Sequence, residues 1–479
     1  MSKKMQVLFA AYECAPFFKK GGLGDVIGSL PIALEDDGVD VSVVIPYYDL
    51  IINKYPQKKV GQIQVIFNSK LASVGIYKGK LPGSNVSIYF LRNKQYMAKV
   101  KAGDSKDKYK EYAFFSVAIA ELIYWLAESI KWKPDIVHCH DWHTALVPLI
   151  LKKHFISMPT ILTIHNMSHQ GTGSVGLLDM LHIGDTDAKV IKRGERVYEL
   201  NILGEGILHS DSVTTVSQTY AKEITDSKSK ERIYTYLKRK EKEEGKSFIF
   251  QGILNGIDYK VWDSNSDSFL YSKYNIRTYL SGKQKNKNEV LKKLHLSNKL
   301  TFCFIGRMVS QKGIDIIIKS IQQIRSYDIN IVLLGEGNKK IEDAVHSLSK
   351  QYSSMIAAET YYSEPFSRQL FAASDFILIP SHFEPCGLIQ MIAMRYGTIP
   401  VASRTGGLVD SITDEKNGFL FQNGSVADFV QAIKKAVETY SNKNKYHDMV
   451  QSAMQTDFSW GKSAAKYIDL YKKIMKKSG

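Results

Sequence analysis

Phe376-Ile377-Leu378-Ile379-Pro380-Ser381-His382-Phe383-Glu384-Pro385-Cys386-Gly387-Leu388 passes from an unbroken apolar run straight into polar and turn-forming residues. A continuous apolar run without strict alternation is the pattern of a strand buried on both faces of a parallel sheet. Such sheets bind ligands outside the carboxyl ends of their strands. Glu384, at that end, can accept hydrogen bonds from sugar hydroxyls, and the Gly387 and Leu388 amides can meet a ribose or a phosphate.

The same arrangement recurs outward along the chain. Candidate strands are Gln6–Tyr12, Val41–Pro46, Asp135–His140, Thr160–His165, Ser212–Ser217 and Ser247–Leu254. A second series is Leu300–Ile305, Asn330–Leu334, Phe376–Pro380, Ile399–Ala402 and Gly418–Phe421. Helical stretches alternate with them, as in βαβ units. These are too many strands for one ordinary sheet, so two sheets are expected. The boundary is expected between Asn255 and Leu300, a polar stretch with the Lys-rich run Lys283-Gln284-Lys285-Asn286-Lys287. Most strands end in unusual polar groups: Lys20 to Asp25, His140 to His143, His165-Asn166 and Asn255-Gly256, then Gly306-Arg307, Gly335 to Gly337, Ser381 to Gly387 and Arg404 to Leu408. Polar strand ends from two sheets suggest one cleft between two domains.

The 479 residues are 44% hydrophobic and 23% charged, which fits a soluble globular protein and excludes a disordered or collagen-like chain. A net charge of +16 implies affinity for anions without naming one. No basic–aromatic nucleic-acid module is evident, and Lys238 to Glu244 reads as a solvated helix face. The four cysteines, Cys14, Cys139, Cys303 and Cys386, have no framework spacing, so a reduced cytoplasmic setting is expected. The N-terminus reads as a first buried strand, because Glu13 and Lys19-Lys20 follow it and no cleavage pattern is present. No apolar run is read as long enough to span a membrane.

Arg307 and Lys312, in Gly306-Arg307-Met308-Val309-Ser310-Gln311-Lys312-Gly313, place two cations five residues apart between a strand and a helix. A diphosphate suits that pair, since Arg offers a fixed fork of donors and Lys a mobile point charge. Thr405-Gly406-Gly407-Leu408 is a companion loop whose amides could approach a phosphate. It echoes Gly21-Gly22-Leu23-Gly24-Asp25 in the first half, and neither loop matches a P-loop or a dinucleotide fingerprint. His138-Cys139-His140-Asp141-Trp142-His143 resembles a metal cluster, but no second ligand group is evident, so hydrogen bonds to a polyhydroxylated ligand are the preferred reading. Asp185-Thr186-Asp187 has an Asp-x-Asp form but lies in a loop-rich region and is read as chance. In the last segment, Trp460, Ala464, Tyr467, Tyr471 and Ile474 mark one helix face that needs a surface to cover it.

Taken in order, several stretches resemble the bacterial and plant glycogen/starch synthases. They are Lys20-Gly-Gly-Leu-Gly-Asp25-Val, His140-Asp-Trp-His143-Thr, His165-Asn-Met-Ser-His-Gln-Gly171, Leu254-Asn255-Gly-Ile-Asp258, Arg307 to Gly313, Phe383-Glu384-Pro-Cys-Gly-Leu388, Arg404-Thr-Gly-Gly-Leu408 and Asp457-Phe-Ser-Trp460. That family consists of retaining glucosyltransferases with the α/β GT-B fold, two Rossmann-like doubly wound parallel-sheet domains facing a central cleft. The resemblance implies an acceptor-side domain over residues 1–258, a nucleotide-sugar domain over 259–456 and a final helix, 457–479, packing back on the first domain. It implies ADP-glucose as donor, an α-1,4-glucan such as glycogen as acceptor, and no metal or other cofactor. Arg307, Lys312, Glu384 and His165 would be catalytic. Arg307 and Lys312 would neutralise the leaving diphosphate, helped by amides at Thr405, Gly406 and Gly407. Tyr362 would lie beside the base. Glu384, His165, Asn255 and Asp141 would hold the glucose, with Lys20, Gly22 and Asp25 where the first domain closes over the donor. Cys386, Gly387 and Leu388 complete the substrate-binding set.

Two departures fall in the first half. The family's Asn-x-Leu-Lys stretch reads Asn201-Ile202-Leu203-Gly204 here, and its Tyr-Gly stretch after Ala221-Lys222-Glu223-Ile224 is replaced by Asp226 to Arg232. Thr172 to Val197 also diverges. The resemblance therefore fixes the donor chemistry better than the acceptor. The rivals are a GT-B transferase with a small-molecule or lipid acceptor, a pyridoxal-dependent phosphorylase and an inactive glucan-binding protein. Ile392 stands where the sucrose and glycolipid transferases repeat a second Glu, with Gln390 nearby.

Overall fold

The computed structural model describes residues 4–98, 106–174, 176–184, 187–188, 191–193, 197–226 and 233–478. The chain divides into two compact units, residues 1–256 with 460–479, and residues 257–459.

The first unit is built on β1 (Gln6–Ala10), β2 (Asp40–Pro46), β3 (Lys58–Phe67), β4 (Lys70–Lys80), β5 (Ser87–Arg92), β6 (Ile136–His140) and β7 (Thr160–Ile164). Three short strands follow, β8 (Thr172–Ser174), β9 (Ile191–Arg193) and β10 (Val197–Asn201), then β11 (Ser212–Thr215) and β12 (Ile249–Gly252). Among the described residues, nine of these form one sheet in the order β12-β11-β7-β6-β1-β2-β5-β4-β3. It is parallel from β12 to β5. β4 and β3 then add antiparallel. The order β8-β10-β9 makes a small separate antiparallel sheet.

Hydrophobic composition explains both sheet types. β6 and β7 are buried at every position, as strands covered on both faces must be. β3 alternates instead: Ile63, Val65 and Phe67 are buried while Ile66 is exposed. One face of that hairpin meets solvent. The expected strands form, but β3, β4 and β5 were not anticipated: the β3–β4 hairpin alternates and is rich in Lys, while β5 does carry a short buried apolar run, Ile88 to Leu91, which the sequence reading passed over.

The helix Lys106–Ile130 also departs from the sequence reading. Its Lys108–Ile130 segment is long and apolar enough to cross a membrane by length and composition, with a mean hydropathy of 1.5. It is a core helix: Tyr112, Phe114, Phe115, Ile119, Leu122 and Leu126 are all buried.

The second unit holds β13 (Leu300–Ile305), β14 (Ile329–Leu334), β15 (Ile356–Glu359), β16 (Phe376–Ile379), β17 (Ile399–Ser403) and β18 (Phe419–Phe421). They form one sheet in the order β15-β14-β13-β16-β17-β18, parallel throughout. The final helix, Trp460–Ser478, groups with the first unit. Its stripe of Trp460, Ala464, Tyr467, Tyr471 and Ile474 is buried. The Tyr471 hydroxyl meets His138 Nδ1 at 2.8 Å, and Ser463 Oγ donates to the Leu254 carbonyl.

Candidate active site

In the second unit the loops after β13, β16 and β17 are locked together at the carboxyl edge of the sheet. Gly313 has φ +68° and opens the helix Ile314–Ile324. A Cβ there would lie 1.7 Å from the Pro380 carbonyl oxygen, so only glycine lets this loop touch the end of β16. That approach sets Lys312 Nζ 2.6 Å from Glu384 Oε2. Ser381 Oγ donates to the same oxygen at 2.9 Å. Glu384 is buried and Lys312 partly exposed. Arg307 Nη2 donates to Gln311 Oε1 at 3.2 Å. Gln311 in turn donates Nε2 to the Phe383 carbonyl at 3.1 Å and accepts from the His382 amide at 2.9 Å. Arg307, Lys312 and Glu384 are thus brought to one place.

Gly406 has φ +45°, and a Cβ on it would stand 1.9 Å from the Glu384 carbonyl oxygen. The Gly407 amide donates to that same carbonyl at 3.1 Å, and the Thr405 amide to the Ser403 carbonyl at 3.0 Å. The glycines therefore provide close approach of β17's loop to Glu384. Two of the three amides expected to meet phosphate are engaged within the protein. Cys386 is buried, and Gly387 and Leu388 are half-buried. Gln390 braces this loop at two points: its Nε2 donates to Cys386 O at 3.1 Å and Gly387 O at 2.8 Å. Tyr362 is 61% exposed. It follows the edge strand β15, which β14 and β13 separate from β16.

In the first unit, Lys20, Asp141, His165 and Asn255 fall beyond the carboxyl ends of β1, β6, β7 and β12. Glu13, which the sequence reading passed over, organises the first loop. It is buried, and accepts from the Lys20 amide and, at 3.2 Å, from the Gly21 amide. Burial pushes its carboxyl up to about 7, against the pull of those amide donors. Gly22 begins the helix Gly22–Asp36. Asp25, in its first turn, pairs with Lys19 at 2.7 Å. Lys20 Nζ is 5.6 Å from the centre of the Tyr12 ring, and partial burial lowers its pKa.

Asp141 has φ +54°. Its Oδ1 accepts from the His165 amide at 2.7 Å and the Asn166 amide at 3.3 Å, tying the ends of β6 and β7 together. Burial raises its carboxyl to about 7. His165 Nε2 meets His140 Nδ1 at 3.0 Å, and burial lowers the His165 pKa, which keeps the imidazole neutral. Asn255 is buried, and its Oδ1 has no hydrogen-bond partner among the described residues.

Within the His138–His143 segment, the first histidine is satisfied inside the protein. His138 and His140 are fully buried. His138 Nε2 meets Thr163 Oγ1 at 2.6 Å and its Nδ1 meets Tyr471. Both nitrogens of His138 thus bond to protein, whereas His140 Nε2 and His143 Nδ1 are buried with no hydrogen-bond partner among the described residues. Among the described residues no group of three His, Cys, Asp or Glu side chains could hold a metal ion. Asp185 and Thr186 of the Asp-x-Asp sequence lie outside the described residues.

Comparison with known proteins agrees with this layout. The starch synthase catalytic domain family matches residues 6–239, and glycosyl transferases group 1 matches residues 286–456. The chain is 36% identical to the glycogen synthase of Pseudothermotoga lettingae over 99% of both chains. It is 36% identical to that of Thermotoga maritima, over 99% of this chain and all of the other. The chain belongs to the glycogen/starch synthase family. It is a glycosyltransferase. The catalytic domain of starch synthase IV from Arabidopsis thaliana, solved bound to ADP and acarbose, matches with a TM-score of 0.88 at 32% identity, over 99% of this chain and 100% of that one. Sucrose-phosphate synthase from Thermosynechococcus elongatus, at 15% identity and a TM-score of 0.62, shares the fold.

The departure of this glycogen/starch synthase family member at Gly204 has a physical cause. A Cβ on Gly204 would lie 2.4 Å from Tyr236 Cζ, so the tyrosine of the helix Ile233–Glu244 fills the space a longer side chain would need. Residues 227–232 of the other departure lie outside the described residues. Glu13, Gln311 and Gln390 were missed as site residues: Gln311 reaches the Phe383 carbonyl only through the fold, while Glu13 and Gln390 brace backbone groups of their own loops, which residue type alone does not signal. For Glu13 a signal existed: a carboxylate set between an apolar strand and a glycine loop.

Proposed function

We propose that the protein transfers glucose from ADP-glucose to the non-reducing end of an α-1,4-glucan, with retention at the anomeric carbon. The observation that carries this reading is the Lys312–Glu384 contact of 2.6 Å at the end of β16, with Arg307 anchored beside it through Gln311. That contact unites a cation suited to a diphosphate with a carboxylate suited to sugar hydroxyls. The ADP and the acarbose bound in the starch synthase IV structure support the choice of donor and acceptor classes.

The bond between glucose C1 and the diphosphate oxygen breaks, leaving negative charge on the diphosphate and oxocarbenium character on the sugar. Arg307 and Lys312 stabilise the first. The acceptor 4-hydroxyl attacks C1 from the face the diphosphate leaves, and its proton passes to the departing phosphate oxygen. Glu384, fixed by Ser381 and Lys312, accepts from glucose hydroxyls. Phosphate contacts fall chiefly to the two cations, because the Thr405 and Gly407 amides already have acceptors. His165, held neutral, and Asn255, with an open acceptor, are assigned to sugar hydroxyls. Lys20, Gly22, Asp25 and Asp141 are assigned to shaping the loops that carry them, and Tyr362 to the nucleotide base. The chemistry assigns no role to a cofactor. A cytoplasmic setting accords with four buried cysteines, none of them in a disulfide.

The test is transfer of labelled glucose from ADP-glucose or UDP-glucose, in parallel, to a glycogen primer. Label entering an α-1,4-linked product with ADP release supports the reading. Transfer from UDP-glucose alone overturns the donor, and no transfer from either overturns the acceptor.

A further inference from the structure

Parallel pairing of β6 with β7 sets His140 opposite Thr163. His165 follows two residues beyond Thr163 and so returns to the same face, which brings its ring beside that of His140. His140 Nδ1 and His165 Nε2 are 3.0 Å apart. His165 is half-buried, just past the end of β7. Since its Nε2 faces His140, Nδ1 is the nitrogen left to meet a ligand.

The His140 ring is held in place. It stacks on Phe9, with centres 5.1 Å apart and planes 28° apart, and on His138, at 4.3 Å and 30°. His138 is itself pinned through both nitrogens, by Tyr471 and Thr163. The His140 amide donates to Thr144 Oγ1 at 2.8 Å. The next residue, Asp141, accepts from the His165 amide. Two consecutive residues thus fix the ring and the main chain of His165. Yet His140 Nε2 is buried with no hydrogen-bond partner among the described residues. An unpaired buried nitrogen costs stability, and a phenylalanine of similar outline would avoid that cost. Packing alone therefore does not account for a histidine at this position, whereas its Nδ1 does.

We propose that His140 is a positioning residue that sets the tautomer of His165. One proton lies between the two rings, and burial keeps both of them neutral. Were His165 the donor, His140 would carry its own proton on Nε2, as a buried N–H without an acceptor. Buried N–H groups of that kind are rare in folded proteins. His140 Nδ1–H therefore donates to His165 Nε2, and His165 carries its proton on Nδ1. The hydrogen bond at one ring nitrogen dictates the form of the other. His165 is thereby presented, through Nδ1–H, as a donor to a sugar hydroxyl oxygen. A donor fixed before the sugar arrives needs no reorganisation as the reaction proceeds. This role rests on the proposed glucosyl transfer, in which His165 meets the sugar.

The experiment has two arms. In protein carrying isotopically labelled histidine, long-range proton–nitrogen NMR spectra report which nitrogen of each ring is protonated, and the His165 signals are those missing from His165→Gln. His165 should be protonated at Nδ1 in the parent and should show both tautomers in His140→Phe. Protonation at Nε2 in the parent overturns the proposal. In steady-state transfer from ADP-glucose to glycogen, kcat of His140→Phe should fall about 10- to 100-fold, the usual cost of removing the partner that orients a metal-bound histidine. Its KM for glycogen should hold, and its melting temperature should not fall, because the unpaired nitrogen is gone. His140→Asn, whose amide can donate from the δ position, should keep most of the rate. An undiminished kcat in His140→Phe, or an equal loss in the two variants, overturns the proposal. Should His140→Phe fold poorly, the parent spectra and the His140→Asn rate decide, and a large loss in His140→Asn overturns it. The two readings fail separately. A parent that transfers no glucose but holds His165 protonated at Nδ1 sinks the function and keeps the control by His140. Full transfer with His165 protonated at Nε2 does the reverse.

Discussion

Lys312 is the residue on which the chemistry turns. Its ammonium is held at the end of β16 by Glu384, ready for charge that develops on a leaving diphosphate. Lys312→Ala should lower kcat by about 10²–10³-fold, the typical loss of one preorganised group that stabilises transition-state charge, with the fold intact by circular dichroism. Gly313→Ala should act differently. It forces an L side chain to φ +68° and into the Pro380 carbonyl, so both the melting temperature and the activity should fall. Glu13 and Asp141 make a pH prediction. Burial lifts Glu13 from 4.5 and Asp141 from 3.8, each to about 7. The native state then binds more protons than the unfolded chain between those limits. The stability these groups contribute is full below about 4 and is lost as pH rises through about 7. Melting curves from pH 5 to 8 should show the parent losing stability relative to Glu13→Gln as pH rises, and parallel curves would count against the Glu13 assignment. Arg307, Lys312 and Glu384 were readable from sequence because each sits within a few residues of an apolar strand end. Glu13, Gln311 and Gln390 were not: Gln311 joins loops far apart in sequence, and Glu13 and Gln390 act on amides and carbonyls of their own loops, whose turns the sequence does not specify.

Among the elements, the helix Trp460–Ser478 shows how a remote segment supports the first unit. Its Tyr471 hydroxyl satisfies His138 inside the core. Tyr471→Phe should cost about 1–3 kcal/mol of stability, the penalty for one unpaired buried polar group, measurable by denaturant titration. The stripe from Trp460 to Ile474 was legible at 4-3-4-3 spacing, since helical periodicity is local information. Most of the parallel strands were legible for the same reason, β5 and β15 excepted. The hairpin β3–β4 was not: its alternating polar pattern signals a half-solvated sheet, and Ile66 and Leu71 point to solvent. β15 escaped notice because Ile356–Glu359 is short and ends in a charge.

For the molecule as a whole, two sheets, one parallel throughout and one parallel from β12 to β5, each present their carboxyl edge loops as the place for chemistry, in keeping with the general rule for α/β sheets. The family likeness runs nearly end to end, while the departures named from the sequence all fall in the first unit. The donor chemistry is therefore the central claim. It is tested most directly by supplying the purified chain with radiolabelled ADP-glucose and glycogen, beside Lys312→Ala and Glu384→Ala. The account predicts ADP release matched by label in α-1,4 linkage for the parent, and losses of at least about 10²-fold in both variants. Undiminished transfer by the two variants, or no transfer by the parent, would contradict it.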